Sequence, residues 1–579
     1  MSNRINKRMS HSYEWVLINS QATDENVAEI SKALDVPQFI VSILFERGYK
    51  TTQAISDFLK PSLSQLHQPN LLPDLDKSVS RIILAIEKNE PILIYGDYDT
   101  DGATATALLL RVLRKLGAKV SFYIPHRIYE GYGLSETGIL YAKSKGFTLL
   151  VTVDCGSTDF TEIELARKLG IDVIVCDHHE TKENLPVAYS VINPKRHDSH
   201  YPFTELGGVG VAFKLAWGLL SKTNQPKEYL TEHLDIVALG IIADIVPLVD
   251  ENRILAKFGL DQITKTNKVG LHALLQVAGI ARKVITPYEI GFMLAPRINA
   301  AGRLSQAEKA VTLLTTDDKQ EAMMIAEKLN HENTQRQIIE TDILEDAIRQ
   351  IDASGIAQNK IMVLGDEKWH EGVVGIVASR LVERYYRPTI LLSIKEDKAK
   401  GSGRSIAGFN IYNALTYCKD YLLGFGGHKY ACGVEVAKDK IELFSQKMQE
   451  YAETHLPPEA LRRKLYIDTE LSFNQITDNT LKIIRQFEPF GQENPLPVFT
   501  TNGLEVVGYP RVVGKDHLKF KLRANKDKVF EAIAFGRSSE ILNLEKGKED
   551  HIDIAYTFDE HTFAGKTKLQ LVIKDLRIK

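Results

Sequence analysis

Three apolar runs in the first half of the chain end on acidic residues, and this regularity constrains the fold more than any other feature. ILIYGDYDTDG (92–102) places Asp97, Asp99 and Asp101 after Ile92–Tyr95. TLLVTVDCG (148–156) reaches Asp154, and DVIVCDHHE (172–180) reaches Asp177, His178 and His179. Aliphatic runs without polar alternation, bounded by Gly and Asp, fit strands buried on both faces. A further strand fits KVSFYI (119–124), and helical stretches separate them, such as ATATALLLRVLRKLG (103–117) and EIELARKLG (162–170). This alternation predicts a parallel sheet covered by helices, with functional groups gathered at the carboxyl ends of its strands. The run IVALGIIADIVPL (236–248) is read in the same way and delivers Asp244.

At about 150 residues per domain, 579 residues make three or four domains. The boundaries predicted are an N-terminal helical segment (1–78), the parallel-sheet domain (79–250), a helical connector (251–352), a smaller α/β domain (353–455) and a C-terminal β domain (456–579). The α/β class rests on the strand–helix alternation. The connector rests on KQEAMMIAEKLNHENTQRQIIETDILEDAIRQI, which has apolar residues at three- and four-residue spacing and fits one long helix or two. The β domain rests on alternating stretches such as LKFKLRA (518–524) and LQLVIKDL (569–576). A formal charge of −3 excludes a basic coat for nucleic acid, so any polyanion contact is local. Cys155, Cys176, Cys418 and Cys432 contain no C-x-x-C pair, which argues against a zinc ribbon and a disulfide scaffold. MSNRINKRMSHSYEW carries basic residues without an apolar segment behind them, and no run is long enough to span a membrane. The expectation is a cytoplasmic protein.

The carboxylates admit several readings. Asp97-x-Asp99-x-Asp101-Gly102 imitates half of an EF-hand loop, but the twelfth position is Leu108 rather than Glu, and a strand precedes it. A phosphorylated D-x-D pair also fits poorly, with Asp101 or Ala103 where Thr or Val is wanted. Helix capping accounts for one Asp but not for three in succession. Asp and neutral His together suit manganese or magnesium. Two such ions activate a water and steady the attacking and leaving oxygens of an in-line displacement, so hydrolysis at phosphorus is expected, with Asp154 bridging.

GDYDTDG (96–102), TVDCG (152–156), DHH (177–179) and ADIVPL (243–248) are together similar to the four motifs of the DHH phosphoesterase superfamily. PRINAAGRL (296–304), WHEGVVGIVASRL (369–381), GSGRS (401–405), GFGGHKYACG (424–433) and EPFGQENPLPVF (488–499) then follow in the order of RecJ-type exonucleases. The resemblance implies a DHH domain, a DHHA1 domain and a C-terminal domain of the oligonucleotide-binding (OB) fold. It implies a 5′→3′ exonuclease specific for single-stranded DNA that uses two Mn2+ or Mg2+ ions in repair and recombination. A DHH phosphodiesterase for short RNA or cyclic dinucleotides, and a catalytically dead nucleic-acid-binding scaffold, are the alternatives.

Carried over by motif, Asp99 and Asp154 would hold one metal, and Asp101, Asp154, His178 and Asp244 the second. His179 would touch the scissile phosphate, with Asp177 orienting a histidine, and Asp97 either supporting from behind or approaching a metal itself. The resemblance further implies that Ser402, Arg404 and Arg127 hold a 5′-phosphate, that Arg303 meets the scissile phosphate and that His428 lines the cleft. Many superfamily members have His where this chain has Tyr95, which predicts a weaker first metal site. Lys515, Lys519, Lys521 and Arg523 would track the sugar-phosphate backbone. Single-stranded-DNA-binding protein and a RecQ-type helicase are partners implied by family, as is a monomeric state.

Overall fold

A computed structural model describes residues 13–18, 23–127, 129–304, 307–524, 528–541, 551–563 and 566–578. The basic opening MSNRINKRMSHS and residues 525–527 of the KDHLKFKLRANKDK stretch lie outside the described residues.

The apolar runs form the central layer of the first domain. Five parallel strands lie in the order Val120–Tyr123, Ile92–Gly96, Leu149–Val153, Asp172–Cys176, Ser190–Ile192. The middle strands are buried throughout because helices cover both faces. The first and third strands in sequence are neighbours, so the sheet has its topological switch point between Ile92–Gly96 and Leu149–Val153, where open α/β sheets bind ligands.

IVALGIIA differs from its sequence reading. It is the helix Leu234–Ala243, and Asp244 caps its carboxyl end. Every residue from Leu234 to Ile241 is buried, and after Asp235 the helix is apolar all round, so it carries no polar face to reveal its period.

The connector's last stretch is one helix, Lys319–Ser354, of 36 residues, about 54 Å long at 1.5 Å per residue. Asp318 caps its start by accepting from the Gln320 and Glu321 amides, and Gly355 ends it in the left-handed region. Ala322, Ala326 and Leu329 pack into the core of the parallel-sheet domain, whereas Ile343, Ala347 and Ile351 pack into the smaller α/β domain. Between these anchors the buried residues turn polar, as Asn333, Arg336 and Glu340.

The smaller domain is a mixed sheet ordered Gly424–Gly427, Ala431–Ala437, Lys398–Arg404, Thr389–Lys395, Met362–Asp366, with only the last pair parallel. The C-terminal sheet closes on itself: Phe499–Val513 pairs with both His517–Arg523 and Ile552–Phe563. The circuit runs on through Val529–Ala534 and Lys566–Ile578 to form a five-stranded barrel. Helices Asp24–Leu34, Gln38–Glu46 and Thr52–Leu59 share this barrel's core, while Leu66, Leu72 and Leu75 belong to the parallel-sheet core. No helix among the described residues is long and apolar enough to cross a membrane.

Candidate metal centre

The register of the parallel sheet sets Gly96, Val153, Cys176 and Ile192 side by side. Asp97, Asp154, Asp177 and Asn193 therefore leave one edge of the sheet together, at the switch point. Three groups of donors result: Asp97 with Asp99 and Asp154; Asp101 with His178 and Asp244; and Asp154 with His178 and His179. Within each group the donor atoms lie within 4.8 Å of one another. Asp154 belongs to two of the three and holds a left-handed backbone at φ 63°, uncommon for a residue with a side chain.

The donor atoms fit divalent cations by what they lack. Asp97 Oδ1, Asp154 Oδ1 and His178 Nε2 are buried without a hydrogen-bond partner. Each would cost about 1–3 kcal/mol if left so. His178 Nε2 lies 3.1 Å from Asp154, 3.6 Å from Asp244 and 4.0 Å from Asp101. These are not ion pairs, because burial and then the neighbouring His179 lower the His178 pKa to about 3, leaving the ring neutral. A hydrogen bond to the Leu206 backbone leaves Nε2 as the free lone pair.

The carboxylates tell the same story from the other sign. Burial first, then the surrounding Asp charges, push Asp97, Asp154 and Asp244 well above the usual carboxylate range and Asp101 to about 7. Such a set cannot all ionise without compensating charge, which divalent cations bound among these donors would supply. Asp177 behaves differently. Burial works against its ionisation, but the His179 hydrogen bond and charge, with His178 and the Ser157 amide, hold it below the usual range. Its Oδ1 lies 2.8 Å from His179 Nδ1, so Asp177 orients His179 rather than joining the donor groups. Burial opposes protonation of His179, yet Asp177, Asp244 and Asp97 together raise it to about 9.

Asp99 has two duties. It belongs to the first donor group, and its Oδ1 caps the helix Thr100–Lys115 through the Asp101 and Gly102 amides at 2.8 and 3.1 Å. Tyr95 is fully buried on the opposite face, where its hydroxyl bonds the Gly133 carbonyl and Ser135. It lies in none of the donor groups. Asp97 sits instead beside Asp99 and Asp154, its carboxylate close enough to be a third oxygen donor.

The cleft's other wall is cationic. Arg404 Nη1 donates to Ser402 Oγ at 2.9 Å, and Gly375 leaves the room this pair needs, since a Cβ there would lie 2.9 Å from Ser402 Oγ. Arg127 stacks over the Tyr98 ring at 4.9 Å. Arg303 reaches across the cleft to the Gly372 carbonyl at 2.9 Å. Burial, then the charges of Arg127, Arg336 and Arg404, lower its pKa to about 9. Arg127, Arg303 and Arg404 thus lie within reach of one another's charge, with Arg127 also beside Asp97, whereas Arg336 is held by Glu340 and Asn333 in the connector helix. His428 is exposed in the turn before Ala431–Ala437, its amide bonded to the Ala431 carbonyl, and lies outside this cluster's described contacts. Lys519 and Arg523 are engaged by Glu531 and Glu505 at 2.7 Å, so Lys515 and Lys521 are the more available cations of that hairpin.

Several contributors went unread in the sequence. Gly208 and Val209 amides, opening the helix Gly208–Lys222, donate to Asp101 at 2.7 and 2.9 Å. Tyr132 donates to the Asp154 carbonyl at 3.1 Å and lies 2.9 Å from His179 Nδ1. Asn299 accepts from Thr100 at 2.8 Å, and Gly302 lets its helix approach the Tyr98 carbonyl. The GGVG run ahead of an apolar helix was the available signal for the first of these.

A parallel sheet with this donor array, joined through a helical connector to a second domain that adds Ser402 and Arg404 to the cations of the first domain and connector, defines a DHH-type phosphoesterase. The DHH family N-terminal domain model matches residues 91–241, the DHHA1 domain 356–454 and the RecJ OB domain 467–575. The chain belongs to the RecJ family. It is 37% identical to the single-stranded-DNA-specific exonuclease RecJ of Bacillus subtilis, over 96% of this chain and 70% of that protein. It is 34% identical to RecJ of Escherichia coli, over 95% and 98% respectively. The crystal structure of Thermus thermophilus RecJ in complex with Mn2+ superposes with a TM-score of 0.83 at 31% identity, covering 97% of this chain and 79% of that one.

Proposed function

We infer that the chain is a single-stranded-DNA-specific 5′→3′ exonuclease that releases mononucleotides by phosphodiester hydrolysis. The observation that carries this reading is the meeting of orphaned buried donors with the Arg127, Arg303 and Arg404 cations. Asp97, Asp99 and Asp154 would hold one cation, and Asp101, Asp154, His178 and Asp244 the other. Mn2+ or Mg2+ bound there polarises the phosphate and lowers the pKa of a nearby water.

The remaining work belongs to the chain. Asp177 holds the His179 ring by hydrogen bond, and its charge stabilises a proton on that ring facing the scissile phosphate. Arg303 adds a fixed cation across the cleft, preorganised for the charge that grows on the phosphate oxygens. Ser402 and Arg404, with Arg127, form a pocket for a terminal 5′-phosphate, which places the first phosphodiester at the metals and favours exonuclease action. Single-stranded-DNA-binding protein and a RecQ-type helicase are the proposed partners, with a monomeric chain acting in the cytoplasm.

The test uses 5′- and 3′-end-labelled single strands, the matching duplex and short RNA, with Mn2+, beside an Asp154→Ala variant. Mononucleotides should leave the 5′ end of the single strand only, and the variant should be inactive. Equal turnover of duplex, or undiminished activity in the variant, sinks the reading. Preferred cleavage of short RNA would favour the phosphodiesterase alternative.

A further inference from the structure

The stretch EPFGQENP (488–495) has no part in the donor groups, yet its Glu488 and Gln492 carbonyls, with those of Gln486 and Phe487 just before it, are spent on the segment that follows Asp244. Its fold is locked from within. The Asn494 side-chain amide donates to the Phe487 and Pro489 carbonyls at 2.8 and 2.9 Å, and Gly491 and Asn494 exchange backbone hydrogen bonds at 3.0 and 3.2 Å. Arg47 adds a bond to Asn494 Oδ1 at 2.7 Å.

Outward, the Gln492 carbonyl accepts from the Leu248 amide at 2.8 Å. Gly491 lies against the buried Leu248 side chain so closely that a Cβ would sit 2.6 Å from Leu248 Cδ1. Five residues after Leu248, the buried Arg253 donates to the Gln486, Phe487 and Glu488 carbonyls at 2.6, 3.2 and 3.2 Å. The segment between Asp244 and Arg253 is an awkward one to hold. Ile245 and Asp250 both take left-handed backbone, at φ 61° and 44°, conformations that persist only when their surroundings over-determine them. Asn252 supplies one restraint, donating to the Glu205 and Pro247 carbonyls. Glu251 supplies more, accepting from Lys214, Tyr201 and the His67 amide, and the 486–494 loop holds Leu248 and Arg253 on the other side.

We propose that the Phe487–Asn494 loop of the C-terminal domain is a positioning element for Asp244, fixing the turn that presents this carboxylate to the Asp101–His178–Asp244 site. Gly491 and Asn494 are its key residues, acting through Leu248 and Arg253 without touching substrate. The domain implicated in holding DNA thereby also sets the geometry of one of two metal sites. The Asp97–Asp99–Asp154 site has no such contact with the 486–494 loop among the described residues, resting on the parallel sheet and on the start of the helix Thr100–Lys115. The proposal rests on the metal-centre reading above.

Mn2+ titration of the full chain by calorimetry tests both. Wild type should show two sites. Gly491→Val, which drives a side chain into Leu248, should weaken one site ten- to a hundred-fold, the usual cost of losing support behind a ligand, and leave the other unchanged. The Mn2+ concentration giving half-maximal hydrolysis should rise by the same factor while KM for DNA holds. Asn494→Ala, which loosens the loop without a clash, is the second variant and should shift the same site in the same direction if Gly491→Val does not fold. A wild type that takes up no Mn2+ overturns the metal-centre reading and this proposal with it. Two unaltered sites in a folded variant overturn the positioning role alone.

Discussion

At the residue scale the informative contrast is between Tyr95 and Asp97. Motif resemblance puts Tyr95 in the place of a ligand and predicts a weak first site. The structure turns Tyr95 into the layer beneath the sheet, where its hydroxyl ties down the Gly133–Ser135 turn, and brings Asp97 to the donors instead. Tyr95→Phe should therefore cost stability of about 1 kcal/mol, the net worth of a buried hydrogen bond, with Mn2+ affinity unchanged. Asp97→Ala should abolish one of two Mn2+ sites in the same calorimetric titration. A Tyr95→Phe protein that loses a site would show that the hydroxyl matters to metal after all. Arg404 offers a separate reading of the cationic wall. Its guanidinium is fixed on Ser402 and half-buried, so Arg404→Ala should erase the preference for a 5′-phosphorylated over a 5′-hydroxyl strand, at a loss of at least ~1.5 kcal/mol of discrimination for a charge-assisted hydrogen bond. Competition between the two strands measures it, and an unchanged ratio rejects the assignment.

At the scale of elements, legibility tracked burial. The sheet strands were readable because aliphatic runs ended abruptly at Gly or Asp. The helix Leu234–Ala243 is not, because burial on all sides removes the polar face that betrays a 3.6-residue period, and so its pattern alone makes Asp244 look like a strand end. The donors themselves were legible, since each sits in an Asp- or His-bearing motif. The amides that support them were not, because Gly208 and Val209 meet Asp101 across more than a hundred residues of chain. That contact makes a prediction. The first turn of Gly208–Lys222 points unpaired amides at Asp101, and the absent Cβ of Gly208 keeps the passage open. A methyl group there would lie 2.7 Å from Asp154 Oδ1 and 2.9 Å from Asp101 Oδ2. Gly208→Ala should displace both carboxylates and lower activity at least tenfold through weaker Mn2+ binding. Gly210→Ala, whose added carbon meets a Leu206 methyl 3.2 Å away, should leave Mn2+ binding near wild type. Equal titrations for all three proteins would count against the helix terminus as a support.

At the scale of the whole molecule, the two ends of the chain build one body. The strand Glu14–Leu17 pairs with Lys464–Ile467, and the three helices between residues 24 and 59 complete the core of the C-terminal barrel. Phe58 is the centre of that union. It meets Phe487 edge-on at 5.2 Å and Tyr49 at 4.6 Å, and the Arg253 guanidinium lies 3.9 Å from its ring centroid. Its carbonyl also takes the Arg253 Nη1 hydrogen at 2.9 Å. One side chain thus touches the N-terminal helices, the last domain and the first helix after Asp244. Phe58→Ala should cost about 3–5 kcal/mol, the penalty for emptying a buried aromatic site. The loss belongs to the shared core, so hydrogen exchange should accelerate first in the 24–59 helices and the barrel strands. Strands Ile92–Gly96, Leu149–Val153 and Asp172–Cys176 have their own core on both faces and should keep their protection. Uniform loss of protection would mean instead that the chain unfolds as one unit, with the barrel and the parallel sheet cooperating across the long helix.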